Sequence, residues 1–70
     1  MTNDRVCAKI KKIRLEKNLT QEYVAEQLNI SQSYYAKIEN GKKELTLNLL
    51  FNISKVLNAD TTFLVKALNE

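Results

Sequence analysis

Residues 19–42 read LTQEYVAEQLNISQSYYAKIENGK, and this stretch decides the fold. It contains two short helical patterns, residues 21–28 and residues 32–39, which are separated only by residues 29–31. A joint of this length between two short helices forces them to cross steeply. The stretch therefore predicts two packed helices with a tight turn between them.

The same order of three residue types recurs where helical patterns end. An asparagine, an apolar residue and a capping candidate follow one another at residues 18–20, 29–31 and 58–60. Asparagine tolerates the left-handed conformation that ends helices, and the next apolar residue can pack back on the last turn. Ordinary polar loops are the alternative, but the repeated order favours tight joints. Gly41, the only glycine, ends the third helix. The predicted N-caps are Thr20, Ser31, Thr46 and Asp60.

Apolar residues recur at spacings of three and four, and no strict alternation typical of strands is present. This pattern predicts a compact, all-α, five-helix protein in which residues 1–70 form a single domain. The predicted helices are residues 4–17, 21–28, 32–39, 47–57 and 61–68. The apolar stripes are Val6, Ile10 and Ile13; Val24, Ala25 and Leu28; Leu47, Leu50, Ile53 and Leu57; and Leu64 and Leu68.

The composition excludes several classes of protein. Seventy residues with a formal charge of +3 are mildly basic, which fits a nucleic-acid partner but does not prove one. The chain has no histidine, no paired thiol and no glycine-rich phosphate loop, so we predict no enzyme activity, no metal and no cofactor. Cys7 is expected to be a buried small residue, because no histidine is present to activate its thiol.

Neither a membrane span nor a signal peptide is predicted. No apolar run approaches the length that crosses a bilayer, and residues 1–10 lack a long apolar core and a small-residue cleavage site. These features predict a soluble, cytoplasmic protein.

In order and spacing, these motifs resemble the phage-repressor (Cro-like, lambda-repressor-like) family of helix-turn-helix DNA-binding domains. Threonine and glutamine open the second helix, an alanine follows four residues later, a turn residue comes four after that, and KIENGK ends the third helix. The resemblance extends from KIRLEKNLTQ through LTLNLLFNISKVLNADTTFLV, which is nearly the whole chain.

The resemblance implies roles for particular residues. Gln21 would start the second helix and contact a DNA phosphate, and Ala25 would let the two helices approach closely. Arg14 and Glu39 would form an ion pair between the first and third helices, although Arg14 could equally be a surface cation. Asn29 lies where the family prefers glycine. Tyr35 departs from the family's pattern, because a buried aliphatic side chain is usual at this position. A tyrosine there needs more room and a partner for its hydroxyl.

The third helix can be oriented from its own pattern. Tyr35 and Ile38 mark the inward face, and with about 100° per residue Ser33 and Lys37 fall nearly opposite. Gln32 lies in the first turn. Glutamine can pair with adenine, lysine can donate to guanine, and serine can donate or accept, so these three residues are predicted to contact bases. A solvated polar face is the alternative.

Phosphate contacts are predicted to flank this helix. The candidates are Gln21, Tyr34, Asn40, Lys42 and Lys43. Alternatively, Lys42 and Lys43 only keep an exposed loop soluble and contact no DNA. The ring of Tyr34 could instead cover the second helix.

The last two helices carry more apolar side chains than one core face needs. These residues are Leu49, Phe51, Val56, Phe63 and Val65. A contiguous exposed apolar patch usually marks an interface, so a homodimer through these helices is predicted. A wide core stripe that packs against the N-terminal arm is the alternative.

Together these features predict a sequence-specific transcriptional regulator, either a repressor or a controller protein. It would bind a pseudo-palindromic operator in double-stranded DNA, with the third helix in the major groove. Contact with RNA polymerase is a further option. The alternative function is a protein-interaction module, such as an antitoxin-type partner, that uses the same helical surface.

Overall fold

Five α-helices joined by short turns make up the fold. The structure, a computed structural model, describes residues 4–67 without the side chain of Phe63. These residues contain no strand, so the predicted all-α class is confirmed. Each helix begins at the predicted residue and ends within one residue of the prediction; Leu68 lies outside the described residues. The helices are α1 (Asp4–Glu16), α2 (Gln21–Gln27), α3 (Gln32–Glu39), α4 (Leu47–Val56) and α5 (Thr61–Ala67).

The helix ends have the conformation that the sequence predicts. Asn18, Asn29 and Asn58 have positive φ values of 59°, 59° and 52°, and Gly41 has a φ of 76°. After each of them, the next N–H donates to the carbonyl five residues earlier, as in Ile30 N to Ala25 O at 3.0 Å. This bond defines the Schellman motif. The left-handed residue therefore ends each helix and turns the chain towards the next one.

Hydroxyl and carboxylate side chains cap the helices that follow. Thr20 and Ser31 each accept from the N–H three residues later at 3.0 Å, and Thr46 does so at 3.1 Å. Asp60 Oδ1 accepts from Thr62 N at 2.9 Å. Each bond satisfies an N–H that has no partner within its helix. The predicted caps are confirmed.

All five helices contribute to the core formed by the described residues. Its centre includes Tyr35, Ile38, Ile53 and Leu64, all with no exposed surface. Ala25 is 2% exposed, as expected for a small residue on a helix that packs closely against its neighbour. The other members are Val6, Cys7, Ile10, Val24, Leu45, Leu50, Leu57 and Ala67.

One residue of the predicted α4 stripe is not in the core. Leu47 is 69% exposed, whereas Leu45, in the loop before α4, is only 8% exposed. Leu47 is the first residue of α4, and at this end of the helix the loop residue joins the core instead. The prediction for Leu47 was therefore wrong.

A buried serine on α4 forms a hydrogen bond with α5. Ser54 has no exposed surface, and its Oγ lies 2.7 Å from Phe51 O and 2.7 Å from Thr61 Oγ1. Because the Ser54 hydroxyl has a single proton to donate to the carbonyl of Phe51, the Thr61 hydroxyl must donate to Ser54. Both hydroxyl groups thus form hydrogen bonds, and one of these bonds joins α4 to α5.

The left-handed joint between α2 and α3 can be tested by substitution. We expect Asn29→Ala to lower the free energy of unfolding by about 1 kcal/mol, because alanine disfavours positive φ. Asn29→Gly should change it by less than about 0.5 kcal/mol, because glycine adopts this conformation freely. Urea unfolding measures both. The control is Asn52→Ala on the exposed face of α4, which should not destabilise the protein. Equal losses of stability at both positions would contradict the role of the left-handed Asn29 conformation.

Candidate nucleic-acid interface

A buried ion pair holds α3 against α1. Arg14 Nε donates to Glu39 Oε2 at 2.9 Å, and Arg14 Nη2 donates to Glu39 Oε1 at 2.9 Å. The exposed fractions of the two side chains are 8% and 0%. Arg14 Nη1 also donates to Leu19 O at 2.8 Å, in the joint before α2. One guanidinium group therefore connects α1, the first joint and the end of α3, so the alternative of a surface cation is wrong.

Two further polar groups surround the Glu39 carboxylate. Gln21 Nε2 donates to Glu39 Oε1 at 3.2 Å. The Tyr35 hydroxyl is buried and has no hydrogen-bond partner among the described residues. The partner that the sequence predicts this hydroxyl would need is therefore absent from the described residues.

The charges of this cluster follow from its geometry. Burial alone would raise the pKa of Glu39, but the hydrogen bonds from Arg14 and from Gln21 outweigh it and lower the pKa. Burial, and then the neighbouring Glu39 carboxylate, raise the pKa of Tyr35. At neutral pH the cluster therefore holds one anion, one cation and a neutral phenol.

The outer face of α3 is polar and open to solvent. Gln32, Ser33 and Lys37 are all exposed, whereas Tyr35 and Ile38 on the opposite side have no exposed surface. The first turn of α3 has no acidic residue. The only carboxylate of this helix is Glu39, which is buried and paired. The three predicted base-contacting residues are therefore exposed and offer donors and acceptors, and α3 carries no exposed anion.

Four of the predicted phosphate-contacting residues are exposed beside this face. Asn40, Lys42 and Lys43 lie at the end of α3 and in the loop after it, and Tyr34 is 42% exposed. The Lys43 Nζ lies 5.9 Å from the centre of the Tyr34 ring, within cation–π range. The fifth candidate, Gln21, is half-buried. The loop also carries one exposed acid, Glu44.

The predicted dimer residues differ in exposure. Leu49, Val56 and Val65 are half-buried and pack against the core, which agrees in part with the alternative of a wide core stripe. Phe51 is 45% exposed, with Lys55 Nζ 4.4 Å from the centre of its ring. The Phe63 side chain lies outside the described part of the chain. Leu47, which was assigned to the core, adds a second exposed apolar side chain to α4.

Cys7 is a buried residue of the core. The Cys7 side chain is 2% exposed, as predicted, and its Sγ donates to Ile38 O at 3.2 Å. Burial, and then Asp4 and Glu39, raise the pKa of this thiol. Within residues 4–67, no three acidic, cysteine or histidine residues are grouped as metal ligands. No helix in this range has the length and apolar character needed to cross a membrane.

These features, an exposed polar helix placed by a three-residue joint on a five-helix core, define a helix-turn-helix protein. Residues 10–64 match the profile of the helix-turn-helix family HTH_3. The chain belongs to this family, whose members are Cro/C1-type DNA-binding regulators and not enzymes.

Several curated proteins are similar in sequence. The control protein C.MunI of a Mycoplasma species is 47% identical over 47 residues, which cover 66% of this chain and 64% of that protein. The uncharacterised regulator YqaF of Bacillus subtilis (strain 168) is 42% identical over 53 residues, covering 76% and 70%. The regulator RamB of Mycobacterium tuberculosis (strain CDC 1551 / Oshkosh) is 33% identical over 63 residues, and the chain spans only 13% of its length.

Solved structures share the arrangement of helices. The wild-type restriction-modification controller protein C.Esp1396I aligns with a TM-score of 0.82 and 36% identity, over 94% of this chain and 85% of that chain. A tetramer of C.Esp1396I solved with its natural 35 base-pair operator aligns with a TM-score of 0.79 and 35% identity, over 97% and 95%. The regulator ClgR from C. glutamicum has a TM-score of 0.87 at 24% identity, over 96% and 87%, and supports the fold alone.

The unpaired Tyr35 hydroxyl gives a direct test of the buried cluster. We expect Tyr35→Phe to raise the free energy of unfolding by about 1 kcal/mol, because it removes a buried polar group without a hydrogen bond. Urea unfolding measures the change. Tyr23→Phe is the matched control, because Tyr23 is 44% exposed and its hydroxyl can meet water. A loss of stability in Tyr35→Phe would mean that Glu39 accepts a hydrogen bond from this hydroxyl.

Proposed function

We propose that this protein is a sequence-specific DNA-binding transcriptional regulator that inserts α3 into the major groove. The observation that carries the proposal is the exposed face of α3, where Gln32, Ser33 and Lys37 stand free of any exposed carboxylate. An acidic side chain on a face that approaches phosphates would be repelled. The absence of such a group from α3 favours a nucleic-acid ligand over an ordinary solvated face.

The three residues offer different readouts of base edges. Gln32 can form two hydrogen bonds with adenine, because its amide has both a donor and an acceptor. Lys37 can donate to guanine O6 and N7, and Ser33 can donate or accept. Because Gln32 and Ser33 lie in the first turn and Lys37 one turn later, they would contact successive base pairs of one half-site.

Phosphate contacts would fix the register of α3 in the groove. Lys42 and Lys43 place two cations in the loop after α3, and Asn40 caps its end. The ring of Tyr34 lies under Lys43 Nζ, so both side chains can approach the same strand. Gln21 would contact a phosphate from the start of α2. These groups carry no sequence information and would add affinity for any duplex.

A homodimer through α4 and α5 would present two copies of α3 to a pseudo-palindromic operator. Leu47 and Phe51 are exposed one turn apart on α4, and Leu49, Val56 and Val65 are half-buried beside the core; Phe63 would complete the interface. The similar controller protein was solved as a tetramer on its operator, which supports an oligomer. Half-sites would lie about 34 Å apart, one turn of DNA.

The simplest mechanism for a domain of this kind is to occupy an operator and so control transcription. Residues 1–70 would act as one DNA-binding domain in the cytoplasm, on the nucleoid. The similarity to control proteins of restriction-modification systems favours a controller or repressor, and contact with RNA polymerase would allow activation. A protein-interaction module is the competing function. DNA affinity that falls steeply with salt would favour the regulator, because counterions are released on binding.

The division between base and phosphate contacts predicts distinct mutant behaviours. We expect Gln32→Ala or Lys37→Ala to lose about 1–3 kcal/mol at particular base pairs and to relax specificity there. Lys43→Ala should weaken all duplexes by a similar factor and reduce the salt dependence. Fluorescence anisotropy on a panel of duplexes measures both. Lys11→Ala, an exposed lysine on α1, is the control for loss of charge; equal effects of Lys11 and Lys37 would contradict base contact.

The dimer can be tested through its most exposed aromatic residue. We expect Phe51→Ser to shift the protein from dimer to monomer at micromolar concentration, because it removes apolar area from the centre of the interface. Sedimentation equilibrium measures the association. Tyr23→Ser is the control, since Tyr23 is 44% exposed and Phe51 45%, but Tyr23 lies on α2. A wild-type protein that is monomeric with and without DNA would contradict the dimer.

A further inference from the structure

Gln21 is connected to the buried ion pair as well as to the proposed DNA surface. It is the first residue of α2, and its half-buried side chain donates from Nε2 to Glu39 Oε1 at 3.2 Å. A glutamine amide has two N–H donors and one acceptor oxygen. One donor is used by Glu39, so a second donor on the same nitrogen is left for another acceptor.

The orientation of this amide is determined by Glu39. An ionised carboxylate only accepts hydrogen bonds, and Glu39 is held in that form by its bidentate contact with Arg14. If the amide of Gln21 were reversed, its carbonyl oxygen would face the carboxylate oxygen and be repelled. The nitrogen must therefore point inward, and the amide cannot turn its oxygen towards Glu39 without losing this bond.

We propose that Glu39, itself buried, is a positioning residue for DNA binding: it fixes the amide of Gln21 so that the second N–H donates to a phosphate of the operator. This inference rests on the proposed function, and specifically on a phosphate contact by Gln21. Glu39 does not repel the phosphate, because the adjacent Arg14 balances its charge. The ion pair thus acts on DNA affinity through Gln21, in addition to holding α3 in place.

Replacing the whole ion pair separates positioning from folding. Arg14→Met combined with Glu39→Met keeps the net charge and the approximate volume, and such apolar replacements of buried pairs are often neutral for stability. Gln21→Ala is then made in the wild-type and in this background. The four proteins form a double-mutant cycle. Affinity is measured for the best duplex selected from a random pool, and circular dichroism reports folding.

The cycle has distinct outcomes. We expect Gln21→Ala to weaken wild-type binding about tenfold, as for the loss of a hydrogen bond to a charged group. In the paired-methionine background the same change should cost less than about twofold, because the amide is no longer oriented. If Gln21→Ala still costs about tenfold there, Glu39 does not position the amide. If it costs nothing in wild type, Gln21 does not contact DNA.

A second measurement uses the unaltered protein and does not depend on the variant folding. Proton–nitrogen NMR resolves the two N–H protons of the Gln21 side chain. We expect the proton that faces Glu39 to keep its chemical shift when the duplex binds, and the other proton to move downfield. Movement of both protons, showing that the bond to Glu39 breaks, would overturn the inference. The proposed function would still hold in that case if the wild-type protein binds its duplex specifically and Lys37→Ala loses that specificity.

Discussion

The placement of α3, which carries the proposed DNA-contacting residues, depends on the ion pair between Arg14 and Glu39. Two charges are removed from water, and such burial is tolerated only when the geometry is good and the remaining lone pairs are satisfied. Here the contact is bidentate. Arg14 also donates to the carbonyl of Leu19, and Gln21 donates to the Glu39 carboxylate. Removing either charged partner would leave the other buried and unpaired, so these contacts favour the observed placement of α1, α2 and α3.

Local signals made most of the fold predictable. The left-handed asparagines and the capping hydroxyls depend on a few neighbouring residues, so NLT, NIS and NAD marked the joints correctly. The features that the sequence did not reveal depend on distant contacts. Leu47 is exposed while Leu45, in the preceding loop, is buried, and the buried Ser54 is hydrogen-bonded to Thr61 on another helix. A periodic pattern of apolar residues does not report such contacts between different segments.

The candidate site shows the same division. The outward face of α3 followed from helical geometry once Tyr35 and Ile38 were placed inside, and the structure places Gln32, Ser33 and Lys37 in solvent. By contrast, the bond between Gln21 and Glu39 joins residues 18 positions apart, and no spacing rule predicts it. The contact of Lys43 with the Tyr34 ring depends on the path of the loop after α3, which short-range patterns leave open.

We propose that α3 reads DNA as one of two copies related by a two-fold axis. The most direct test is to select duplexes from a random pool with the purified protein and to sequence those retained. We expect two inverted half-sites whose centres lie about 34 Å apart, one turn of DNA. Recovery of no common sequence, or of a single half-site without a two-fold partner, would contradict it.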